Sequence, residues 1–123
     1  MSFRPGQRWI SDGESDQGLG TVTAIENRFV TMMFTATGDV RQYAIANAPL
    51  TRVIFNEGDV IPSHEGWSMT VSNVIENDGV LSYQGVRQDN GETTVLKEVM
   101  IDHFIKFNKP HDRLLNGQVD RLD

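Results

Sequence analysis

Short stretches of alternating apolar and polar residues, separated by turn residues, cover most of the 123-residue chain. The clearest is residues 67–74, where large apolar side chains alternate with polar ones. A period of two is typical of a β-strand with one buried face. The dipeptide Asp78-Gly79 that follows is a preferred two-residue hairpin turn, because both positions tolerate positive φ. The pattern therefore predicts antiparallel β-structure.

The same reading predicts five short strands in each half of the chain. In the first half they are residues 7–10, 18–25, 29–34, 40–44 and 53–55, with a helical turn at 47–50. In the second half they are residues 59–61, 67–74, 80–86, 93–96 and 105–107, with a helical turn at 100–104. Residues 11–17 are predicted to be a loop, because the capping-box match Ser11-x-x-Glu14 is not followed by apolar helical periodicity.

A repeat divides the chain. Phe3-x-x-Gly6 recurs as Phe55-x-x-Gly58, 52 residues later (55 − 3), and Phe107 follows after another 52 (107 − 55). A constant period of this size indicates a duplicated module. We therefore expect a first module at residues 1–54, a second at 55–107 and a linker segment at 108–123.

Strand number and turn spacing predict an all-β fold of two tandem Tudor-like or SH3-like barrels, each a bent antiparallel sheet. A single β-sandwich of six or seven strands is the alternative, and the repeat argues against it. Leu115, Val119 and Leu122 have helical spacing, but Gly117 weakens that helix. The tail is therefore predicted to be short and helical or irregular.

Charge is distributed unevenly between the modules. Residues 1–54 carry five arginines and five acidic residues, whereas residues 55–107 carry three bases and nine acids, a net charge of 3 − 9 = −6. Binding to a phosphate backbone depends on Lys and Arg. Direct nucleic-acid binding is therefore disfavoured, and a basic protein partner suits the second module better.

Composition points to an ordinary globular protein in a reducing compartment. The chain has no cysteine, which excludes disulfides and thiolate zinc sites. It has no apolar run of the roughly 18 to 20 residues that a transmembrane helix needs, and residues 1–6 do not resemble a secretion signal. We expect a cytoplasmic location and no membrane partner.

No pattern of catalytic or cofactor-binding residues is present. His64, His103 and His111 lack the spacing of metal ligands. Gly18-x-Gly20 lacks the third glycine of a dinucleotide-binding fingerprint, and no GxxxxGK[ST] motif for a nucleotide triphosphate occurs. We expect no catalytic residue, metal site or cofactor within these residues.

Exposed aromatic and arginine side chains remain the best candidates for binding a partner. Rings in barrels of this size usually belong to the core, but an exposed set could also form a cage for a methylated cation. The predicted partner-binding residues are Arg8, Arg28, Phe29, Arg41, Tyr43, Trp67 and Tyr83.

Several blocks of residues, in order along almost the whole chain, closely resemble the amino-terminal region of the RapA family. These blocks are Gly6-Gln-Arg-Trp-Ile-Ser-Asp12, Gly18-Leu-Gly-Thr-Val22, Thr51-Arg-Val-x-Phe55-Asn-x-Gly-Asp59, Ser63-His-x-Gly-Trp67, Lys109-Pro-x-Asp-Arg-Leu114 and Gly117-Gln-x-Asp-Arg121. The family consists of bacterial RNA polymerase-associated ATPases of the SWI/SNF type.

The resemblance implies two Tudor-like, strongly bent sheets in a non-catalytic interaction region. It also implies binding to core RNA polymerase, support of polymerase recycling, and restraint of the protein's own ATPase lobes. ATP and magnesium are expected only in the downstream ATPase region, whose helicase-type motifs have no counterpart in these residues. Association with the nucleoid through polymerase would follow. An SH3-like nucleic-acid-binding module is the alternative function.

Overall fold

The computed structural model describes residues 3–105, which form nine β-strands in two antiparallel sheets. The first sheet contains β1 Arg8–Ser11, β2 Gly20–Glu26, β3 Phe29–Phe34, β4 Asp39–Ala44 and β5 Leu50–Arg52, in the order β4-β3-β2-β1-β5. The second contains β6 Val60–Pro62, β7 Ser68–Asn77, β8 Val80–Arg87 and β9 Thr93–Lys97, in the order β6-β7-β8-β9. Single 3-10 turns lie at Ser15–Gln17, Ile45–Asn47 and Glu98–Met100. The predicted all-β class and its two sheets are confirmed.

Each half is organised around a two-residue hairpin. Asn27 has φ 52° between β2 and β3, and Asp78 and Gly79 have φ 55° and 83° between β7 and β8. Turns with positive φ match the right-handed twist of the strands they join. The Asp78-Gly79 signal therefore identified the longest hairpin correctly.

A β-bulge bends the second strand of each half. The register shifts between Val22 and Ala24 in β2, and between Val71 and Asn73 in β7. An extra residue on one strand bends that strand and increases its twist. Both halves are therefore built on a sharply bent sheet.

The entry into each sheet is also repeated in detail. Gly6 donates its backbone N–H to Val22 at 2.9 Å, and Gly58 donates to Val71 at 2.8 Å. Both glycines have φ above 90°, a conformation that residues with a Cβ adopt at a cost. The 52-residue repeat of the sequence thus corresponds to a repeated backbone structure.

The fifth strand was predicted wrongly. Residues 53–55 are not a strand, and β5 ends at Arg52, where it pairs with Trp9. Val53 and Phe55 are buried in a core instead of lying in a strand ladder. Apolar side chains at alternate positions produce the same sequence pattern in both cases.

The end of the second half also differs from the prediction. A 3-10 turn at Glu98–Met100 replaces the helical turn expected at 100–104, and Ile105 lies outside any strand. A single β-bridge between Ser63 and Ile101 takes the place that the β1–β5 pairing has in the first half. Residues 106–107 of the predicted closing strand, and the predicted tail at 108–123, lie outside the described residues.

Two hydrophobic cores lie within the described residues, and one of them crosses the midpoint of the chain. The smaller core is built from the first half: Phe3, Trp9, Val22, Val30, Met32 and Phe34. The larger core combines residues of the second half with Ile10, Leu19 and Val53 from the first. The two halves therefore share buried apolar surface, although the module boundary at 54/55 itself stays a prediction.

A buried ion pair links the halves beside that core. Glu98 is fully buried and accepts hydrogen bonds from both terminal nitrogens of Arg52, from the Arg8 backbone N–H at 2.8 Å and from the Leu81 N–H. A buried carboxylate is stable only when its lone pairs are satisfied. Four donors from the three strands β1, β5 and β8 therefore converge on one side chain.

Candidate functional site

Arg8 was predicted to contact a partner, and the structure removes it from that role. Its side chain is fully buried and its Nη1 donates to the carbonyl oxygens of Glu98, Val99 and Ile101 at 2.9 to 3.0 Å. Burial lowers the pKa of the Arg8 guanidinium to about 10, although Glu98 opposes the shift. Arg8 joins the two halves and is not available to a partner.

Tyr83 is likewise a core residue. It is fully buried, its ring meets Phe55 edge-on at 6.0 Å, and its hydroxyl accepts the Phe55 N–H at 3.1 Å. Burial raises the pKa of this hydroxyl to about 12. The prediction that Tyr83 binds a partner therefore also fails, because the ring does not reach solvent.

Arg41 and Tyr43 occupy the edge strand β4 and are partly accessible. Arg41 donates to both carboxylate oxygens of Glu14 at 3.3 and 3.4 Å and lies 3.4 Å from Asp39. The hydrogen bond that Arg41 donates to Glu14 is the main cause that raises the pKa of Arg41. Tyr43 packs against the smaller core, and burial raises the pKa of the Tyr43 hydroxyl.

Arg28 and Phe29 lie at the tip of the first hairpin. Both are exposed, Phe29 by 46%. Val30 pairs with Tyr43 across the ladder, so the Phe29 side chain points to the opposite face of the sheet from Tyr43. Phe29 and Tyr43 therefore cannot wall one cage for a methylated cation.

An accessible cluster surrounds Trp67, which immediately precedes β7. The guanidinium carbon of Arg87 lies 4.5 Å from the centre of the Trp67 ring. Trp67 Nε1 donates to Glu65 at 3.0 Å, and Arg87 donates to both oxygens of Asp89 at 2.9 and 2.6 Å. A guanidinium over an indole is a favourable cation–π arrangement. One face of the Trp67 ring is therefore already occupied by the guanidinium of Arg87.

This cluster is held by reciprocal charges. The hydrogen bond from Arg87 is the main cause that lowers the pKa of Asp89, and the same bond raises the pKa of Arg87. All of these side chains reach solvent, so the pairing contributes order to the surface more than stability.

Two depressions meet at Trp67. An open cleft of about 480 Å³ lies between the Trp67 loop (residues 63–67) and the end of β8. Arg87 and Asp89 lie on its wall. A narrower, more enclosed groove of about 270 Å³ runs between the same loop and β9, and its apolar wall is formed by Trp67, Val95 and Met100. Surfaces of this kind bind polypeptide side chains, because an aromatic anchor is surrounded by polar groups.

The described residues do not assemble a reaction centre. Within residues 3–105, no three His, Asp or Glu side chains come together in a group that could hold a metal ion. His64 and His103 do approach each other, with ring centres 5.8 Å apart, and His103 Nδ1 lies 3.1 Å from Arg8 Nη2. That contact makes His103 a hydrogen-bond partner of the buried Arg8.

Sequence reasoning found Trp67 but missed its neighbours Arg87, Glu65, Val95 and Met100. The signal for Arg87 was available, since a hairpin centred on Asp78-Gly79 brings the residues around 87 opposite the start of β7. The bulge then shifts the register so that Arg87 pairs with Met69. No short-range pattern could have indicated Val95 and Met100, which follow a different turn.

Comparison with known protein families gives two matches. Residues 3–53 match the family described as RapA N-terminal Tudor like domain 1, and residues 55–117 match the RapA N-terminal Tudor like domain. The chain belongs to the RapA family. Together the two matches span nearly all of it, and each describes a Tudor-like domain of the RapA amino terminus. The resemblance drawn from the sequence is confirmed.

No helix among residues 3–105 is long and apolar enough to cross a membrane.

Proposed function

We propose that this chain is the interaction region of a RapA-type, transcription-associated ATPase. It binds core RNA polymerase, supports polymerase recycling, and restrains the ATPase lobes of the same protein in the cytoplasm. The observation that carries the proposal is the pair of RapA Tudor-like matches over residues 3–53 and 55–117. The ATPase itself, with its ATP and magnesium, would belong to the downstream region.

Two accessible regions support a binding role. One is the exposed hairpin tip with Arg28 and Phe29, and the other is the Trp67 cluster with Arg87. Aromatic and arginine side chains are enriched at binding hot spots. Arg41 and Tyr43 are secondary candidates, since each is already engaged with its own chain.

The pairing of the arginines within the chain argues against nucleic-acid binding as the alternative function. Arg8 and Arg52 are used in the internal network around Glu98, Arg41 pairs with Glu14, and Arg4 lies 3.8 Å from Asp78. Among the arginines of the first half that the structure describes, this leaves Arg28 without a carboxylate partner. A single exposed arginine without a carboxylate partner provides little of the phosphate neutralisation that nucleic-acid binding needs.

Affinity measurements on the full-length protein test the proposal. We expect Arg28→Ala combined with Phe29→Ala to weaken binding to core polymerase about tenfold, the effect of losing roughly 1.4 kcal/mol. Arg4→Ala is the matched control, because Arg4 is a partly exposed arginine of the same half that is paired at the surface. Deleting residues 1–107 should abolish tight binding and raise the ATPase rate.

The outcome can contradict the proposal in two ways. A deletion protein that binds polymerase as tightly as the intact protein would place the contact elsewhere. Micromolar, salt-sensitive binding of this chain to single- or double-stranded oligonucleotides, with no affinity for polymerase, would favour the nucleic-acid module instead.

A further inference from the structure

The loop beside the edge strand is held differently in the two halves: in the first it is bonded to β4, and in the second a groove lies between it and β9. In the first half, eight residues (12–19) connect β1 to β2 and include the 3-10 turn Ser15–Gln17. That connection reaches the edge strand β4 and its turn: Gln17 donates to Asp39 at 2.9 Å and accepts from Thr37. Arg41 on β4 is bound to Glu14 from the same loop. The loop of the first half is therefore tied to the edge strand β4 and to the turn before it.

In the second half the corresponding connection is three residues shorter. Five residues (63–67) link β6 to β7. Their hydrogen bonds, among the described residues, stay inside the loop or go to Met100: the His64 N–H donates to Met100 at 2.8 Å and Glu65 binds Trp67. Nothing in residues 3–105 bridges this loop to β9 as Gln17 and Glu14 bridge to β4. Because this loop is shorter, the groove between it and β9 stays open.

Strand β9 is suited to accept another strand along its outer edge. It pairs with β8 on one side, and no further strand pairs with it within residues 3–105. Residues 93–96 are uncharged, whereas the corresponding edge strand β4 carries Asp39 and Arg41. Charged side chains on an edge strand discourage pairing with another chain. The edge of β9 lacks that protection along most of its length.

The dimensions of the groove select a side chain over a small molecule. Its volume of about 270 Å³ lies below the range of roughly 300–1,000 Å³ for sites that enclose drug-sized ligands. Val95 is 51% exposed and Met100 45% exposed, so apolar area on the groove wall faces solvent. A strand added to β9 would direct every second side chain toward this wall, because side chains alternate along a strand.

Charge indicates what the occupant carries. The second half has an excess of six acidic charges (3 − 9 = −6). At the groove itself Glu65 is exposed, and the exposed Glu92 precedes β9 in the sequence. Arg87 is neutralised by Asp89, which leaves Lys97 at the end of the strand as the opposing charge. A basic segment is the complementary partner.

We propose that this groove binds an extended, basic segment of the partner protein, which adds as a strand to β9 and inserts an apolar side chain between Trp67, Val95 and Met100. The inference rests on the proposed function, because it names the surface through which the chain meets core RNA polymerase. Glu65 attracts the lysine or arginine that flanks the apolar side chain.

The two edge strands supply a matched pair of variants. Val95 on β9 and Val40 on β4 are both exposed, by 51% and 53%, and each lies in the edge strand of its sheet. In the full-length protein we expect Val95→Lys to weaken binding to core polymerase at least tenfold and Val40→Lys to change it less than twofold. Glu65→Gln keeps an acceptor for Trp67 Nε1 but removes the charge. It should weaken binding several-fold and reduce the dependence on salt.

A photo-crosslinking amino acid at position 95 identifies the occupant. We expect it to crosslink to a polymerase peptide that contains Lys or Arg beside an apolar residue, while the same amino acid at position 40 does not. If Val95→Lys is poorly folded by thermal melting, Met100→Ser serves in its place, with several-fold weaker binding expected.

The outcomes separate this inference from the proposed function. Unchanged affinity of Val95→Lys in a protein that does bind polymerase overturns the groove and leaves the proposed function standing. Crosslinks from position 95 to a second copy, to the same chain or to an acidic segment also overturn it. If the unaltered full-length protein does not bind core polymerase, the proposed function fails first.

Discussion

The two halves of this chain share the parts that build the sheet and differ in the parts that face a neighbour. Both have the glycine entry, the bulged second strand and a two-residue hairpin. They differ in the first loop, which is bonded to β4 in one half and, among the described residues, is not bonded in this way to β9 in the other. They differ also in the last strand, which is β5 in the first half and a single bridge at Ile101 in the second.

The difference shows where a duplicated module is free to change. Residues that set the turn, the bulge and the core are constrained by backbone geometry and packing, so both halves retain them. Loop length and surface charge are not constrained in this way. Here those features gave the first half a loop bonded to its edge strand and inward-facing arginines, and the second half an open aromatic surface.

The strongest test of how the halves depend on each other is Glu98. Glu98→Ala leaves the nearly buried Arg52 without its carboxylate and the Arg8 backbone N–H without its acceptor, and breaking a buried ion pair costs about 3–5 kcal/mol. We expect a loss of that size in the free energy of unfolding, measured by urea denaturation. Glu92→Ala, an exposed acid of the same half, should change stability by less than about 0.5 kcal/mol. A loss below about 1 kcal/mol for Glu98→Ala would mean that the halves are stable without this link.

Alkaline pH should destabilise the larger core through Tyr83. The pKa of its hydroxyl is about 12 in the folded chain, against 10.0 for an unperturbed tyrosine. The unfolded chain therefore loses this proton first, and stability falls as the pH rises from 10 to 12, by roughly 3 kcal/mol at most. Thermal melting against pH would measure it. The decline should be shallower in Tyr83→Phe, and an identical decline in both proteins would exclude Tyr83 as its cause.

The loop at residues 12–19 of the first half should contribute less to the free energy of unfolding. Gln17→Ala removes the bonds to Asp39 and Thr37, and hydrogen bonds of this kind are worth about 1 kcal/mol each. We expect a loss of about 1–2 kcal/mol and faster amide exchange in residues 12–19 and in β4. Gln42→Ala, an exposed change on the same strand, is the control. Equal effects of the two substitutions would show that the loop is not held by Gln17.

The smallest expected effect is a loss of stability at mildly acidic pH, through His103, which contacts the buried Arg8. Burial, followed by the nearby Arg8 and His64, lowers the pKa of His103 below the ordinary 6.5. Below pH 6.5 the unfolded chain binds this proton more readily than the folded chain, so the contribution of His103 to stability is lost as the pH falls. The melting temperature of the unaltered protein should then drop more between pH 7 and 5 than that of His103→Gln. An NMR titration that places the pKa of His103 above 6.5 would reverse the sign.

Much of the candidate site could not be read from the sequence, for reasons that particular residues illustrate. Trp9 and Trp67 belong to similar strand patterns, yet Trp9 is 3% exposed and Trp67 reaches solvent. Arg8 and Arg28 are both arginines of short polar stretches, yet one is buried in the link and the other is exposed. Burial of this kind depends on which other segment covers the residue, and alternation along one strand cannot show that.

The chain's own order of residues determined the class of fold, the repeat and the hairpins, because a period of two, a 52-residue spacing and an Asp-Gly turn are local properties of the backbone. Tertiary structure alone decided the rest. It ended β5 at Arg52, carried Val53 and Phe55 into a shared core, and turned Arg8 inward to meet Glu98 across 90 residues of chain. Such contacts join segments far apart in sequence, where packing and charge satisfaction select one arrangement from many that the local pattern allows.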